Sequence, residues 1–343
     1  MRCHRPPRFL SINGILIFRR SIQHVIAAYG DYTMRIRAIL SYLCIASLAG
    51  GLAFAAPPGQ IRVQVNIVNL FATVRDKHKA IITGLKQDDF QVYEDGQPQE
   101  ITYFSAESNL PITLGILLDT SGSEYFMLSG EKEAGSRFLA RVLRKGDLAM
   151  VMTFDTDVDL LADFTDDRGV LDRAINRAQI NAPSGGMIAQ GPLPSSGSGG
   201  TNFYDAVYLA AHEKLSGEAG RKAIVVLTDA EDTGSKLRLS DAIEAAQRTD
   251  TVVHILLVAA DGGDQDVARK LTDDTGGRMI VVRSEKNLEQ AFDQISEELR
   301  SQYTVGYTPT NKKHDGTYRK IKVEMKNKDY SVLTRRGYYA PNN

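Results

Sequence analysis

The chain has no tryptophan, two cysteines and almost no imbalance of charge: 41 basic side chains stand against 42 acidic ones over 343 residues, for a formal net charge of −1. Each shortage removes a class of function. A nucleic-acid binder needs a basic excess, or at least a basic face, to neutralise phosphates, and the totals offer no excess. Hydrophobic residues at 43% and charged residues at 24% lie near the globular average, which sets aside disordered, collagen-like and disulfide-scaffold readings. Motifs are missing as well. No Gly-x-x-x-x-Gly-Lys phosphate loop occurs, so an ATPase engine is absent from the sequence. No Gly-x-Ser-x-Gly elbow surrounds Ser121 or Ser123, and His212-Glu213 lacks the second histidine of a metalloprotease helix, so it reads as a solvated helix face. The apolar run Ala38 to Phe54 falls short of the ~20 residues needed to span a bilayer and contains Gly50-Gly51.

That run belongs to an N-terminal stretch unlike the rest. Residues 1–55 hold seven arginines, one aspartate, no lysine and no glutamate, leaving 34 basic and 41 acidic residues beyond them. Met34-Arg35-Ile36-Arg37, the apolar run and Ala53-Phe54-Ala55 are the basic start, apolar middle and small-residue cleavage site of a secretory signal peptide. The expectation is a signal peptide over 34–55, cleaved after Ala55, with 1–33 an upstream extension and Met34 the true start; an uncleaved anchor is the competing reading. Both cysteines, Cys3 and Cys44, fall in the segment to be removed. The exported chain, periplasmic or extracellular, then has no thiol chemistry and no stable membrane span.

Beyond Ala55 the patterning divides in three. Residues 56–108 read as an N-terminal β module: Ile61, Val63, Val65 and Ile67 alternate, then Val68, Leu70, Ala72 and Val74 alternate in the opposite phase, and Asp95-Gly96 marks a turn between Phe90–Tyr93 and Ile101–Phe104. Residues 109–302 alternate strands with helical stretches, the pattern of an α/β domain with a doubly wound, mostly parallel six-stranded sheet. Its expected helices include Tyr125 to Leu143, Phe203 to Leu215 and Leu239 to Arg248. Residues 303–343 return to strands, expected to pack with the N-terminal module into a small antiparallel unit, with two separate β appendages as the alternative.

The chemistry gathers at strand ends. Leu118-Asp119-Thr120-Ser121-Gly122-Ser123 sits where the first strand of the α/β domain gives way to a helix, the edge at which doubly wound sheets bind ligands. Asp119, Ser121 and Ser123 offer one carboxylate and two hydroxyls, hard oxygen ligands suited to Mg2+, Mn2+ or Ca2+. Gly199-Gly200-Thr201 precedes a helix, and Leu227-Thr228-Asp229 closes a buried strand. The bland alternative for the short Asp-x-Ser-x-Ser string is a helix cap. Asp119, Ser121, Ser123, Thr201 and Asp229, in that order, resemble the metal-ion-dependent adhesion site of von Willebrand factor type A domains. The resemblance covers about 109–302 and implies a divalent cation, Mg2+ foremost, held by these five residues directly or through water, with one position open. It also implies the Rossmann-like fold; separately, the exported chain as a whole, with its leading strands, the Asp95-Gly96 turn and the ending Arg335-Arg336-Gly337-Tyr338-Tyr339-Ala340-Pro341, resembles a group of exported bacterial proteins built around this domain. Ala230 departs from the glycine that many members carry there. Pro183 to Gly200 is longer than a minimal connection and is either a recognition loop or a flexible spacer.

The function expected is therefore adhesion-type binding: the cation grips an Asp or Glu carboxylate supplied by a protein partner, with no nucleic acid involved and no catalysis. A structural or assembly role in the cell envelope, with the metal stabilising the domain, is the alternative. A metal-dependent hydrolase is a weaker third, because no motif positions a general base. A haloacid-dehalogenase-type phosphotransferase fails because Ser121 stands where its second, proton-transferring aspartate would be. His254 is expected to be a satisfied core or edge histidine, and the acidic runs Asp155–Asp159 and Asp163–Asp167 to be turns and caps.

Overall fold

The computed structural model describes residues 67–106, 110–180, 200–258 and 263–342. The expected signal peptide, the upstream extension, Ile61 to Val65 and positions 183–199 of the loop before Thr201 lie outside the described residues. In chain order the elements are β1 (Val68–Arg75), β2 (Phe90–Glu94), β3 (Gln97–Gln99), β4 (Ile101–Ser105), β5 (Ile112–Asp119), α1 (Leu128–Val142), β6 (Leu148–Phe154), β7 (Val158–Thr165), α2 (Arg168–Arg177), α3 (Phe203–Tyr208), β8 (Arg221–Thr228), α4 (Leu239–Arg248), β9 (Thr251–Val258), α5 (Gln265–Thr275), β10 (Met279–Val282), α6 (Glu285–Arg300), β11 (Tyr303–Tyr307), β12 (Tyr318–Met325), β13 (Ser331–Leu333) and β14 (Gly337–Tyr339).

β5 and β9 are buried along their whole length and β8 everywhere but at Lys222, as runs such as Ile112-Thr-Leu-Gly-Ile-Leu-Leu and Ile224-Val-Val-Leu require when helices cover both faces. The six strands lie in the order β10-β9-β8-β5-β6-β7. All neighbours are parallel except β6 and β7. One face packs on α1, α2 and α6, where Phe138 and Phe292 stack with ring centroids 4.6 Å apart. The other packs on α3, α4 and α5. From β5 the chain builds outward through β6 and β7 on one side, then restarts beside β5 at β8 and builds the other way. The crevice between the C-terminal ends of β5 and β8 is thus the point where the order reverses, the place such sheets offer to a ligand.

The flanking strands form two four-stranded antiparallel sheets, β13-β1-β11-β4 and β14-β12-β2-β3. The inward residues of β1 (Val68, Leu70, Ala72, Val74) meet Phe90, Val92, Ile321, Val323 and Met325 across a shared core, so N- and C-terminal segments complete one another. The Asp95-Gly96 turn, with both residues at positive φ, joins β2 to β3 rather than to Ile101–Phe104; β4 crosses to the other sheet and pairs with β11. Glu94 is buried in this unit and accepts hydrogen bonds from the hydroxyls of Tyr307 (2.8 Å) and Tyr338 (3.0 Å) and from Arg319 (3.3 Å). Ion pairs tie the β unit to the α/β layer: Arg75 and Arg278 converge on buried Glu298, and Arg335 pairs with Asp250 while donating to the Asn69 carbonyl at 2.8 Å.

Two further expectations are corrected. The helix expected from Tyr125 starts at Leu128, because Gly122–Phe126 forms a separate 3-10 turn. His254 is fully buried on β9, yet neither ring nitrogen has a hydrogen-bond partner among the described residues, so it is not a satisfied histidine. Burial pushes its imidazole down to about 4. Residues 209–215 continue α3 as a π-helix, so the stretch from Phe203 to Leu215 is helical throughout but not α-helical throughout.

Candidate metal centre

Asp119 ends β5 and is wholly buried. One carboxylate oxygen accepts from the Ser121 amide (2.9 Å), and the other from the Thr228 hydroxyl (2.6 Å) at the end of β8, so the two strand ends are fastened across the crevice. The Thr228 hydroxyl in turn accepts from the Ala230 amide at 3.0 Å. Asp229 follows, its Oδ1 taking the Glu231 amide at 3.0 Å. The Ser121 and Ser123 hydroxyls lie 2.9 Å apart at the start of the 3-10 turn. Thr201 is clamped through its backbone: its amide donates to the Thr233 hydroxyl (3.0 Å), and its carbonyl accepts from the Thr233 and Gly234 amides (3.1 Å each). The loop after β6 supplies the floor, where buried Asp155 receives the Thr120 hydroxyl at 2.8 Å and its carbonyl receives the Asn202 amide at 2.7 Å. All these segments follow the C-terminal ends of parallel strands or lead into a helix.

Carboxylate oxygens of Asp119, Asp229 and Glu124 all lie within 4.8 Å of one another. The structure thus brings Asp119 and Asp229 together and adds Glu124, a residue the motif did not mark. Glu124 is 1% exposed, and its Oε1 has no hydrogen-bond partner among the described residues; the same holds for both carboxyl oxygens of Glu131, on the first turn of α1. Burial, then the repulsion of neighbouring carboxylates, holds the Glu124 carboxyl far above the usual range. Glu131 is also raised, chiefly by burial. Burial pushes Asp119 up to about 6.

Such a concentration of buried acid without a compensating base is unfavourable for the protein alone. A hard divalent cation would reverse that, since carboxylate and hydroxyl oxygens are the donors it prefers, and the orphaned Glu124 oxygen would gain a partner. The residues present fit such an ion: Asp119, Glu124 and Asp229 by their converging carboxylates, and Ser121 and Ser123 as adjoining hydroxyl donors.

Ala230 sits at φ 62° with no exposed surface. That is the left-handed region, which explains why a glycine suits this position, and the alanine occupies it without displacing Asp229 from the cluster.

The model of the von Willebrand factor type A domain family matches residues 114–231, from β5 to just past Asp229. Among solved structures, a von Willebrand factor type A protein from Catenulispora acidiphila is 11% identical, covering 82% of this chain and 75% of its own, with a TM-score of 0.46. Conserved hypothetical protein BatB from Bacteroides thetaiotaomicron is 18% identical over 55% of this chain and 100% of its own, with a TM-score of 0.40. The von Willebrand factor domain of the type V pili tip protein Mfa5 from Porphyromonas gingivalis is 14% identical over 55% and 94%, with a TM-score of 0.40. No curated protein matches the chain. Over residues 114–231, which hold β5 to β8 and the acidic cluster at the crossover, the chain is thus similar to von Willebrand factor type A domains.

Proposed function

We propose that this chain is an exported, non-enzymatic binding module that uses a divalent cation, Mg2+ in the first instance, to hold a carboxylate of a protein partner. The observation that carries the reading is the convergence of Asp119, Asp229 and Glu124 at the strand crossover, beside the Ser121 and Ser123 hydroxyls. A cation bound there keeps positive charge toward neutral hydroxyl ligands, and an incoming Asp or Glu oxygen supplies the charge that those ligands do not. Thr201, bonded to Thr233 of the 231–236 loop, is assigned with that loop to the rim of the site, and Tyr125 and Phe126, 66% and 89% exposed, follow Glu124 in the chain as apolar contacts of the kind that anchor interfaces. Among the described residues no helix is long and apolar enough to cross a membrane.

The depth of the cluster favours a second reading, in which the ion mainly stabilises a component of the cell envelope, since Asp119 has no accessible surface. Metal-dependent capture from native envelope and medium separates the two. The binding reading expects a partner retained with Mg2+ and lost with EDTA, with Asp119→Ala and with Thr201→Ala. Retention unchanged under all three overturns it; loss of thermal stability on EDTA treatment with no partner captured under any condition selects the stabilising role.

A further inference from the structure

Resting on the metal-site reading, we propose that Glu124 is a built-in competitor: its carboxylate occupies the cation position that a partner's carboxylate must take, so the site is self-blocked until Glu124 is displaced. The motif residues do not include it, yet carboxylate oxygens of Glu124, Asp119 and Asp229 all lie within 4.8 Å of one another. Glu124 belongs to the 3-10 turn Gly122–Phe126 and is the one buried residue of that turn. Glu124 is therefore the side chain by which the turn reaches the interior. Its neighbours Tyr125 and Phe126 point into solvent and pack on each other edge to face, with ring centroids 5.3 Å apart. Gly122 has open space where a side chain would stand. The Glu124 Oε1 has no hydrogen bond among the described residues for a displacement to break, whereas Asp119 is fastened to the Ser121 amide and to the end of β8.

The chemistry of the competition is symmetrical. Glu124 offers the same group that the partner would offer, already tethered, and a tethered ligand competes at an effective concentration of millimolar or above. The partner gains only when it brings further contacts, and the exposed aromatic pair on the same turn is where such contacts would register the displacement.

Mn2+ as the probe ion tests this without any partner. Water-proton relaxation of the Mn2+-loaded full chain counts exchangeable waters on the ion in wild type, Glu124→Gln and Glu124→Ala, and acetate serves as the stand-in carboxylate. The expected result is one more exchangeable water in Glu124→Ala than in wild type, with Glu124→Gln between them as a weaker neutral ligand. Acetate should displace water from Glu124→Ala at a concentration about tenfold or more below that needed for wild type. Equal hydration and equal acetate sensitivity in all three, with Mn2+ still bound, overturns the proposal and leaves the metal site standing. Mn2+ binding that is absent from wild type, or undiminished in Asp119→Ala, overturns the metal-site reading and this proposal with it. Circular dichroism confirms the fold of each variant; should the alanine variant unfold, the glutamine variant decides by the same two readouts.

Discussion

Replacing Asp119 with asparagine should stabilise the metal-free protein and remove its response to Mg2+. The carboxyl titrates near 3.8 when exposed and is pushed up to about 6 in the fold, chiefly by burial. Each tenfold of that difference is worth ~1.4 kcal/mol, so the ionised group costs the fold about 3 kcal/mol at neutral pH. The sign follows from proton counting. Between pH 4 and 6 the folded state holds the proton that the unfolded state has released, so stability falls as pH rises through this window and stays low above it. Asparagine has no charge to bury and keeps an acceptor for the Ser121 amide, but it loses the acceptor that now takes the Thr228 hydroxyl at 2.6 Å, a loss of about 1 kcal/mol. The net gain is about 2 kcal/mol, or roughly 4 to 8 °C in Tm. Mg2+ at a hundred times its Kd should add about 2.7 kcal/mol to the wild type and nothing to the variant, so the order of stability reverses when EDTA is replaced by Mg2+. Thermal unfolding at pH 7.5 in both buffers measures this. A variant less stable than wild type in EDTA, or an equal Mg2+ response in both proteins, refutes the reasoning.

Three further outcomes are expected. Glu94→Ala should destabilise the β unit by about 3 to 5 kcal/mol in urea unfolding, because Arg319 and two tyrosine hydroxyls lose their shared buried acceptor; a cost under about 1 kcal/mol contradicts it. Ala230→Gly should raise the stability read from the urea midpoint by up to about 1 kcal/mol, since relief of a left-handed alanine exceeds the added chain entropy of glycine, with Mg2+ affinity unchanged. His254, with its pKa pushed down to about 4, stays neutral in the fold while the unfolded chain takes up a proton below about 6.5, so this residue alone contributes a loss of about 3 kcal/mol between pH 6.5 and 4, opposite in sign to the contribution of Asp119. Comparison of urea midpoints at the two pH values should show a smaller fall in His254→Leu; an identical fall shows that other groups carry the acid sensitivity.

Much of the fold is legible in the sequence because its signals are periodic. Uninterrupted apolar runs mark β5, β8 and β9, and Leu239–Arg248 has the bounds that its spacing gives. Asp119 and Asp229 can be paired from the sequence because both close such runs. Glu124 is hidden there because its role depends on a change of helical geometry: read as the approach to an α-helix it is an ordinary acidic residue near an N-terminus, whereas the tighter 3-10 turn aims it into the crevice. β3 is hidden too, because Gln97-Pro98-Gln99 has no apolar alternation and is a strand only by virtue of the turn before it. The state of His254 is a matter of partners brought by the fold, and no local pattern carries it.

The pairing of β1 with β11 sets a schedule for the nascent chain. Ala72 finds its ladder partner only when Tyr303 exists, and β2, paired early with β3, waits for β12 on its other edge, so at ordinary synthesis rates these edges stand open for on the order of tens of seconds. Every strand of the α/β layer, in contrast, has its neighbours before residue 283. A product stopped just after Gln302 would keep the whole ligand-facing crevice and lose both flanking sheets, exposing the apolar edges of β1 and β2. Residues 303–343 thus act as a completeness check: the binding crevice can form without them, but the pairing that covers the edges of β1 and β2 cannot.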